Sequence, residues 1–184
     1  MGRPYNEFKA SCLGNKIDYD NCYKYQCVDL IKYYLDKCLG YGKIGSLWNA
    51  KDLPNNRFFD WRAKIKLTTN NAKQWDIVVA NNGKYWHVAI VDRIVNGKIY
   101  VMEQNGTGKN SGSWTDGNEI RIQPYSFGFF NLILRSDAII KNFNLERDYT
   151  LEMINERKKL LDATVDYYRA IQWGTNIWIL TKYK

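Results

Sequence analysis

A change in hydrophobic periodicity along the chain constrains its fold more than any other feature. Apolar side chains recur at spacings of three and four residues from Cys27 to Cys38, and Gly40 follows them. This spacing predicts an amphipathic helix that begins near Tyr25 and that the glycine ends. From about Gln74 the pattern changes to short apolar runs separated by turns. A helix followed by an antiparallel meander predicts an α+β fold.

Turn signals divide the β-type region into short strands. Residues 76–80 and 86–91 flank an Asn-Asn-Gly turn, so we expect them to form a hairpin. An Asn-Gly turn precedes the next predicted strand, and the remaining predicted strands are 98–103, 119–123 and 129–134. A shorter helix is predicted over residues 46–53, ended by Pro54.

A second helical stripe lies in the C-terminal segment. Its members are Leu151, Ile154, Lys158, Leu161, Val165 and Tyr168. Their spacing approximates a heptad pattern interrupted by one lysine, so this helix either packs back on the preceding domain or pairs with another copy of the chain. The sequence therefore predicts one domain over residues 1–136 and a helical extension of unknown role over 137–184, through which a homo-oligomer is possible.

The composition is that of a folded globular protein. The chain has 184 residues, of which 45% are hydrophobic and 25% charged. No stretch approaches the roughly 18 apolar residues of a transmembrane helix, and the N-terminus has no apolar run typical of a signal peptide. We therefore expect synthesis in the cytoplasm without a signal peptide and no stable membrane insertion. A target outside the membrane would require release by another factor.

The basic excess belongs to the predicted first domain. Residues 1–136 carry 19 Lys and Arg against 12 Asp and Glu, which accounts for +7 of the net +8. A basic surface attracts polyanions, either nucleic acid or the teichoic acids of a Gram-positive wall. Charge alone does not choose between these partners, and a solvated face explains it equally well.

One of the four cysteines differs from the others in its position. No CxxC pair is present, so a structural zinc site is not predicted, and a chain of this size without an export signal does not require disulfides. Cys27 alone falls in the first turn of a predicted helix, where the dipole and unpaired amides stabilise a thiolate. The same residue is also the first apolar member of its stripe, so on this observation alone it is either a nucleophile or a core residue.

A nucleophilic cysteine needs a base, and His87 is the chain's only histidine. Strand alternation places His87, Ala89 and Val91 on one face of its strand. On the next strand Glu103 and Asn105 are two residues apart, which predicts that they point to the same face, side by side. Antiparallel pairing would bring that face next to His87 and supply an acceptor for its imidazole.

Four motifs carry a family resemblance. They are Tyr25-Gln26-Cys27-Val28-Asp29, Trp75-Asp76-Ile77-Val78, His87-Val88-Ala89-Ile90 and Glu103-Gln104-Asn105, in that order. Together they resemble the CHAP domain, a cysteine- and histidine-dependent amidohydrolase/peptidase domain of bacteriophage endolysins and bacterial wall hydrolases, over roughly residues 5–135. The resemblance implies a papain-like α+β fold with the catalytic residues Cys27, His87, Glu103 and Asn105. It also implies that the chain cleaves an amide bond of peptidoglycan, as amidase or endopeptidase, after holin-type release.

Closely spaced carboxylates precede and enter the nucleophile helix. Asp18 and Asp20 lie on a turn-forming stretch, and Asp29 follows the cysteine by two residues. Carboxylates and carbonyls on a turn suit Ca²⁺, although such residues also form turns and helix caps. The resemblance to staphylococcal-type lysins implies a structural calcium site with these three carboxylates and the backbone carbonyls of Cys22 and Lys24.

Two features depart from the family's pattern. Trp86 stands where the family usually has a glycine before the histidine, which bears on the shape of the cleft. Residues 137–184 are too few and too helical for the SH3-like wall-binding domain that many lysins carry. The sequence therefore leaves the means of wall targeting unexplained.

Two other functions stay open at this point. A wall hydrolase carried by a virion or tail would use the same chemistry, with the C-terminal helix as a docking or oligomerising element. A non-enzymatic, basic and aromatic-rich module would bind nucleic acid or wall polymer by stacking and phosphate contacts. The second alternative makes the ordered Cys, His and Glu-x-Asn set a coincidence, so no nucleic-acid partner is expected.

Overall fold

The computed structural model describes most of the first domain and one helix of the C-terminal segment. The described residues are 4–45, 49–55, 63–67, 71–81, 86–106, 118–135, 138–139, 141 and 151–162. The chain divides into two compact units, Met1–Phe143 and Asn144–Lys184. The predicted boundary at residue 136 lies a few residues before this division.

The second unit contains a helix over residues 151–162. Three members of the predicted stripe, Leu151, Ile154 and Leu161, are more than half exposed. Val165 and Tyr168, its last members, lie outside the described residues. The choice between packing back and self-association therefore stays a prediction.

Two short α-helices belong to the first unit. Helix α1 spans Tyr5–Cys12, and the sequence did not predict it, although Tyr5, Phe8 and Cys12 recur at helical spacing and are buried. Helix α2 spans Cys27–Tyr33 and continues as a π-helical turn over Tyr34–Cys38. The apolar stripe of α2 and the π-helical turn packs into the core as predicted. Its buried members are Leu30, Ile31, Tyr34, Leu35 and Cys38.

The predicted short helix near residue 50 differs in type and extent. The structure has a 3₁₀ helix over Ala50–Asn55, with Pro54 inside it, and residues 46–48 lie outside the described part. The prediction that Pro54 ends a helix was therefore wrong. Proline is unfavourable inside an α-helix because it lacks the N–H of the helical hydrogen bond. A short 3₁₀ helix has few such hydrogen bonds, so it can contain a proline.

The described strands form one antiparallel sheet of six. They are β1 Ala63–Lys66, β2 Ile77–Ala80, β3 His87–Val95, β4 Lys98–Glu103, β5 Arg121–Ser126 and β6 Leu132–Arg135. Their spatial order is β1-β6-β2-β3-β4-β5. The predicted β2–β3 hairpin is confirmed, with Val79 opposite Val88.

The last strand corrects the expectation of a simple meander. Strands β2 to β5 follow one another in the sheet, but β6 returns to lie between β1 and β2. All four residues of β2 are buried, so this strand lies in the sheet's interior and needs a partner on each side. Strand β6 is the second partner of β2. Strand β1, which was not predicted, pairs with the other edge of β6.

The two faces of the sheet bury different clusters. Val88 and Ile90 of β3 pack with the helices, whereas Ala89 and Val91 pack with Val101 on the opposite face. The predicted alternation along β3 is therefore confirmed. Within the described residues, no helix is both long enough and apolar enough to span a membrane.

Candidate active site

Cys27 is the first residue of α2, and a capping box fixes the chain there. The backbone N–H of Gln26 donates to Asp29 Oδ2 at 2.9 Å, and the Asp29 N–H donates to the Gln26 carbonyl at 3.0 Å. The thiol of Cys27 is free and partly buried against the core. Its place in the first turn puts it among the backbone N–H groups that have no partner within the helix.

His87 begins β3 and lies against Glu103 at the end of β4. Its Nε2 is 2.9 Å from Glu103 Oε2, and the carboxylate is fully buried. Burial lowers the pKa of His87, but hydrogen bonds to Cys27 and Glu103, together with their charges, outweigh it and raise the pKa to about 9. The imidazole therefore lies between thiol and carboxylate and holds its proton through neutral pH.

Asn105 is placed differently from the prediction. Strand β4 ends at Glu103, and Asn105 has φ of 53°, in the left-handed region, so strand alternation does not extend to it. Its Nδ2 donates to Gln26 Oε1 at 3.0 Å, which puts Asn105 beside the residue preceding the nucleophile. Its buried Oδ1 finds no hydrogen-bond partner among the described residues.

Two residues of β5 hold the buried carboxylate, and sequence reasoning missed both. The Tyr125 hydroxyl donates to Glu103 Oε2 at 2.8 Å, and Arg121 Nη2 lies 3.5 Å from Oε1. Residue 121 pairs directly with residue 103 across the two strands. The predicted strand stopped at residue 123, which left Tyr125 out. A strand reaching Ser126 would have put both side chains on the face of Glu103.

Gly106 leaves the space that the Glu103 carboxylate occupies. An added Cβ at position 106 would overlap all three atoms of that carboxylate group. Sequence reasoning missed this position too, because a glycine after an asparagine reads as an ordinary turn.

We expect Gly106→Ala to lower kcat by about 10²-fold, because a catalytic group displaced by about 1 Å loses that much rate. The melting temperature of Gly106→Ala should stay close to that of the wild type. Gly128→Ala is the matched control, since an added Cβ meets nothing within 4 Å there. Equal kcat values for the two variants would show that the carboxylate tolerates the added methyl group.

Gln104 links three segments around the site. Its Oε1 accepts from the backbone N–H of Ile17 at 2.8 Å, and its Nε2 donates to the carbonyls of Ile17 at 2.7 Å and Gln26 at 2.9 Å. The side chain is fully buried. Gln104 therefore joins the end of β4 to Ile17, which precedes Asp18 and Asp20, and to Gln26 at the start of α2.

We expect Gln104→Leu to lower the free energy of unfolding by about 2–4 kcal/mol, because the partly buried N–H and carbonyl of Ile17 would both lose their hydrogen bonds to Gln104. Urea denaturation would measure this loss as a lower midpoint with an unchanged slope. Gln123→Leu, at a partly buried position of β5, is the control. A loss no greater than that of the control would contradict the linking role.

The structure brings the three acidic side chains of the predicted calcium site together. One carboxylate oxygen from each of Asp18, Asp20 and Asp29 lies within 4.8 Å of the others. Burial raises the pKa of Asp29 to about 7, against the lowering effects of the Gln26 N–H and Lys32. Oδ1 atoms of Asp18 and Asp29 are buried and find no hydrogen-bond partner among the described residues.

One of the two backbone carbonyls predicted for this site is engaged locally. The N–H of Cys22, which is not the predicted ligand atom, donates to Asp20 Oδ1 at 3.0 Å, and the Lys24 carbonyl accepts from the Gln26 N–H at 2.9 Å. A carbonyl oxygen has a second lone pair, so the latter contact leaves room for a cation. Their assignment as ligands stays a prediction.

Trp86, the departure from the family's glycine, adopts φ of 59°. This left-handed conformation costs an L-residue about 1–2 kcal/mol and suits glycine. Its side chain is partly buried against the core that contains the helices. The backbone before His87 therefore has a conformation that suits glycine, although the residue there carries an indole side chain.

Comparisons with known proteins give a family match and a similar fold. Residues 18–105 match the family model of the CHAP domain. The chain is similar in fold to the crystal structure of the wild-type endolysin LysIME-EF1, with a TM-score of 0.60 and 19% sequence identity, over 74% of this chain and 65% of that one. The chain thus spans less than two thirds of that endolysin structure. Residues 18–105 are thus similar to the CHAP family, and the fold is the predicted papain-like α+β type.

Proposed function

We propose that this protein is a cysteine-dependent hydrolase that cleaves an amide bond of bacterial peptidoglycan. The observation that carries the proposal is the Cys27–His87–Glu103 array, in which one imidazole interacts with a thiol at a helix start and with a buried carboxylate. A buried charge this close to a histidine is typical of catalysis. The CHAP match and the similarity in fold to an endolysin support peptidoglycan as the substrate class.

The geometry supports a two-step mechanism. The Cys27 thiolate attacks the amide carbonyl, and the His87 imidazolium donates its proton to the leaving amine, which yields a thioester. His87, now neutral, takes a proton from water as the water attacks the thioester, and the thiolate is regenerated. Glu103 fixes the imidazole so that Nε2 faces the carboxylate and Nδ1 is left for the thiol and substrate.

One group near the nucleophile is suited to a substrate contact. The backbone N–H of Cys27 lies at the helix start, where it can stabilise an oxyanion. The Asn105 amide donates to Gln26 and its Oδ1 is buried, so Asn105 is suited to positioning the residue before the nucleophile.

Bond chemistry tests the proposal. Purified Gram-positive peptidoglycan digested by the protein should gain free amino groups without gaining reducing sugar ends. The identity of the new amino-terminal residue separates amidase from endopeptidase cleavage. Reducing ends that appear without new amines would contradict amide hydrolysis.

We further propose that Asp18, Asp20 and Asp29 hold a structural calcium ion, with the Cys22 and Lys24 carbonyls. The buried Oδ1 atoms of Asp18 and Asp29 accept no hydrogen bond within the described part of the chain, and Lys32 approaches the latter only to 3.8 Å. Buried carboxylate oxygens of this kind fit a bound cation. A bound calcium ion would supply positive charge that braces the loop before α2. Asp29 ties that loop to the nucleophile through its cap on Gln26.

Calcium removal should then destabilise the protein. At a calcium concentration 100 times Kd, binding adds about 2.7 kcal/mol to the free energy of unfolding, which EGTA should remove. The melting temperature should rise when calcium is restored. Asp18→Asn should lose this response, and Asp52→Asn, an exposed control, should keep it. A calcium response retained in Asp18→Asn would contradict the site.

A further inference from the structure

We propose that Lys32 is a built-in cation of the acidic cluster, which holds the loop before the nucleophile helix when no metal is bound and competes with calcium for the same carboxylates. This inference rests on the calcium site proposed above. It assigns to this chain's own lysine the control of how tightly that site binds calcium.

The lysine is buried inside the cluster. Its side chain is 1% exposed, its Nζ forms an ion pair with Asp20 Oδ2, and it lies 3.8 Å from Asp29 Oδ1. A buried ammonium is costly unless opposite charges surround it. The carboxylates of the cluster therefore stabilise Lys32 in its buried position. Lys37, on the following turn, is half exposed and pairs with Asp36 instead.

Asp20 shows how the lysine holds the loop. One oxygen of Asp20 accepts from the Cys22 N–H, and the other pairs with Lys32 on α2. Between Asp20 and the helix, Asn21, Tyr23 and Lys24 all adopt left-handed φ angles between 55° and 60°. Such a backbone is unfavourable for L-residues and persists only when surrounding contacts hold it. The Lys32–Asp20 ion pair is one of these contacts.

Charge decides the competition. Three carboxylates and one ammonium leave a net charge of about −2, whereas the carboxylates alone carry about −3 when ionised. A calcium ion lies about 2.4 Å from its ligand oxygens, so an ion sharing the Asp20 carboxylate would stand close to the ammonium and be repelled by it. Lys32 therefore lowers calcium affinity, and it limits how far the loop depends on calcium.

The test measures calcium binding by calorimetry, and thermal unfolding in EGTA and in calcium, on the full chain. Lys32→Met removes the charge and keeps the length of the side chain, and Lys37→Met is the matched control. We expect Lys32→Met to bind calcium at least about tenfold more tightly than wild type. It should also melt at a lower temperature in EGTA and recover in calcium, whereas Lys37→Met should behave as wild type.

Three outcomes would overturn the inference. Equal calcium affinity in Lys32→Met and wild type would show that the lysine does not compete. If neither protein binds calcium, both the calcium site and the competition are contradicted. The hydrolase proposal is tested separately by the amide-hydrolysis assay. If Lys32→Met fails to fold, the double variant Lys32→Met/Asp20→Asn, which also removes the partner charge, should fold in EGTA. Failure of the double variant would show that Lys32 acts through packing and not charge.

Discussion

Cys27→Ala is expected to abolish wall hydrolysis, with a fall of at least about 10³-fold in the rate of clearing of Gram-positive walls. The thiolate forms the covalent bond in the proposed mechanism, and its removal leaves His87 and Glu103 without a nucleophile to serve. The variant should fold normally, because alanine has high helix propensity and the thiol is only partly buried.

Cys22→Ala is the matched control for this prediction. Cys22 is an exposed thiol in the loop just before the helix, and alanine keeps the backbone carbonyl that is its proposed calcium ligand, so this variant reports any general effect of losing a cysteine near the site. We expect it to clear walls at the wild-type rate. If Cys27→Ala clears walls as fast as Cys22→Ala, the assignment of the nucleophile is wrong.

Glu103→Gln should reduce kcat/KM by about 10²- to 10⁴-fold. The charge of Glu103 helps to hold the proton on His87, and a neutral amide of the same shape removes that charge while the side chain stays buried. A comparable loss follows when the carboxylate that orients a catalytic histidine is replaced by an amide. Glu119→Gln, an exposed change, should leave the rate unaltered.

The pH profile distinguishes this role from a purely structural one. The pKa of His87 is raised from 6.5 to about 9, so the imidazolium is favoured in the folded state. Its contribution to stability is complete below about pH 6.5 and is lost as the pH rises through about 9. Wild-type activity should fall on the alkaline side near pH 9, where the proton donor is lost, and Glu103→Gln should move this limb to lower pH. An unmoved limb would contradict the coupling of Glu103 to His87.

The sequence predicted the parts of the fold that follow from local periodicity. Helix α2 came from its three- and four-residue spacing, and the two faces of β3 came from alternation, because successive side chains of a strand point to opposite faces. Helix α1 and strand β1 were missed, since each is short and the pattern in a few residues is weak. The position of β6 between β1 and β2 depends on long-range pairing, which no local pattern carries.

The candidate site was predictable only for residues that lie in regular structure or in a recognised motif. Cys27, His87 and Glu103 meet because one helix start and two strand ends converge. Asn105 was misplaced because strand alternation was extended past the end of β4, into a left-handed turn. Tyr125 depends on how far its strand continues, which propensity does not fix.

Buried charges were the other part that the sequence did not reveal. Lys32 lies outside the predicted apolar stripe of its helix, yet its side chain is almost wholly buried. Only the folded loop, which returns Asp18 and Asp20 to the helix, explains that position. Charge partners distant in sequence therefore have to be found in the structure.

The most direct measurement of the central claim is mass spectrometry of the protein quenched with acid during turnover of peptidoglycan fragments. The account predicts a muropeptide acyl group on the peptide that contains Cys27, released by hydroxylamine as a thioester should be. Cys27→Ala should show no such adduct. Amide hydrolysis that proceeds while the acyl group is found on another residue would contradict the assignment of Cys27 as the nucleophile.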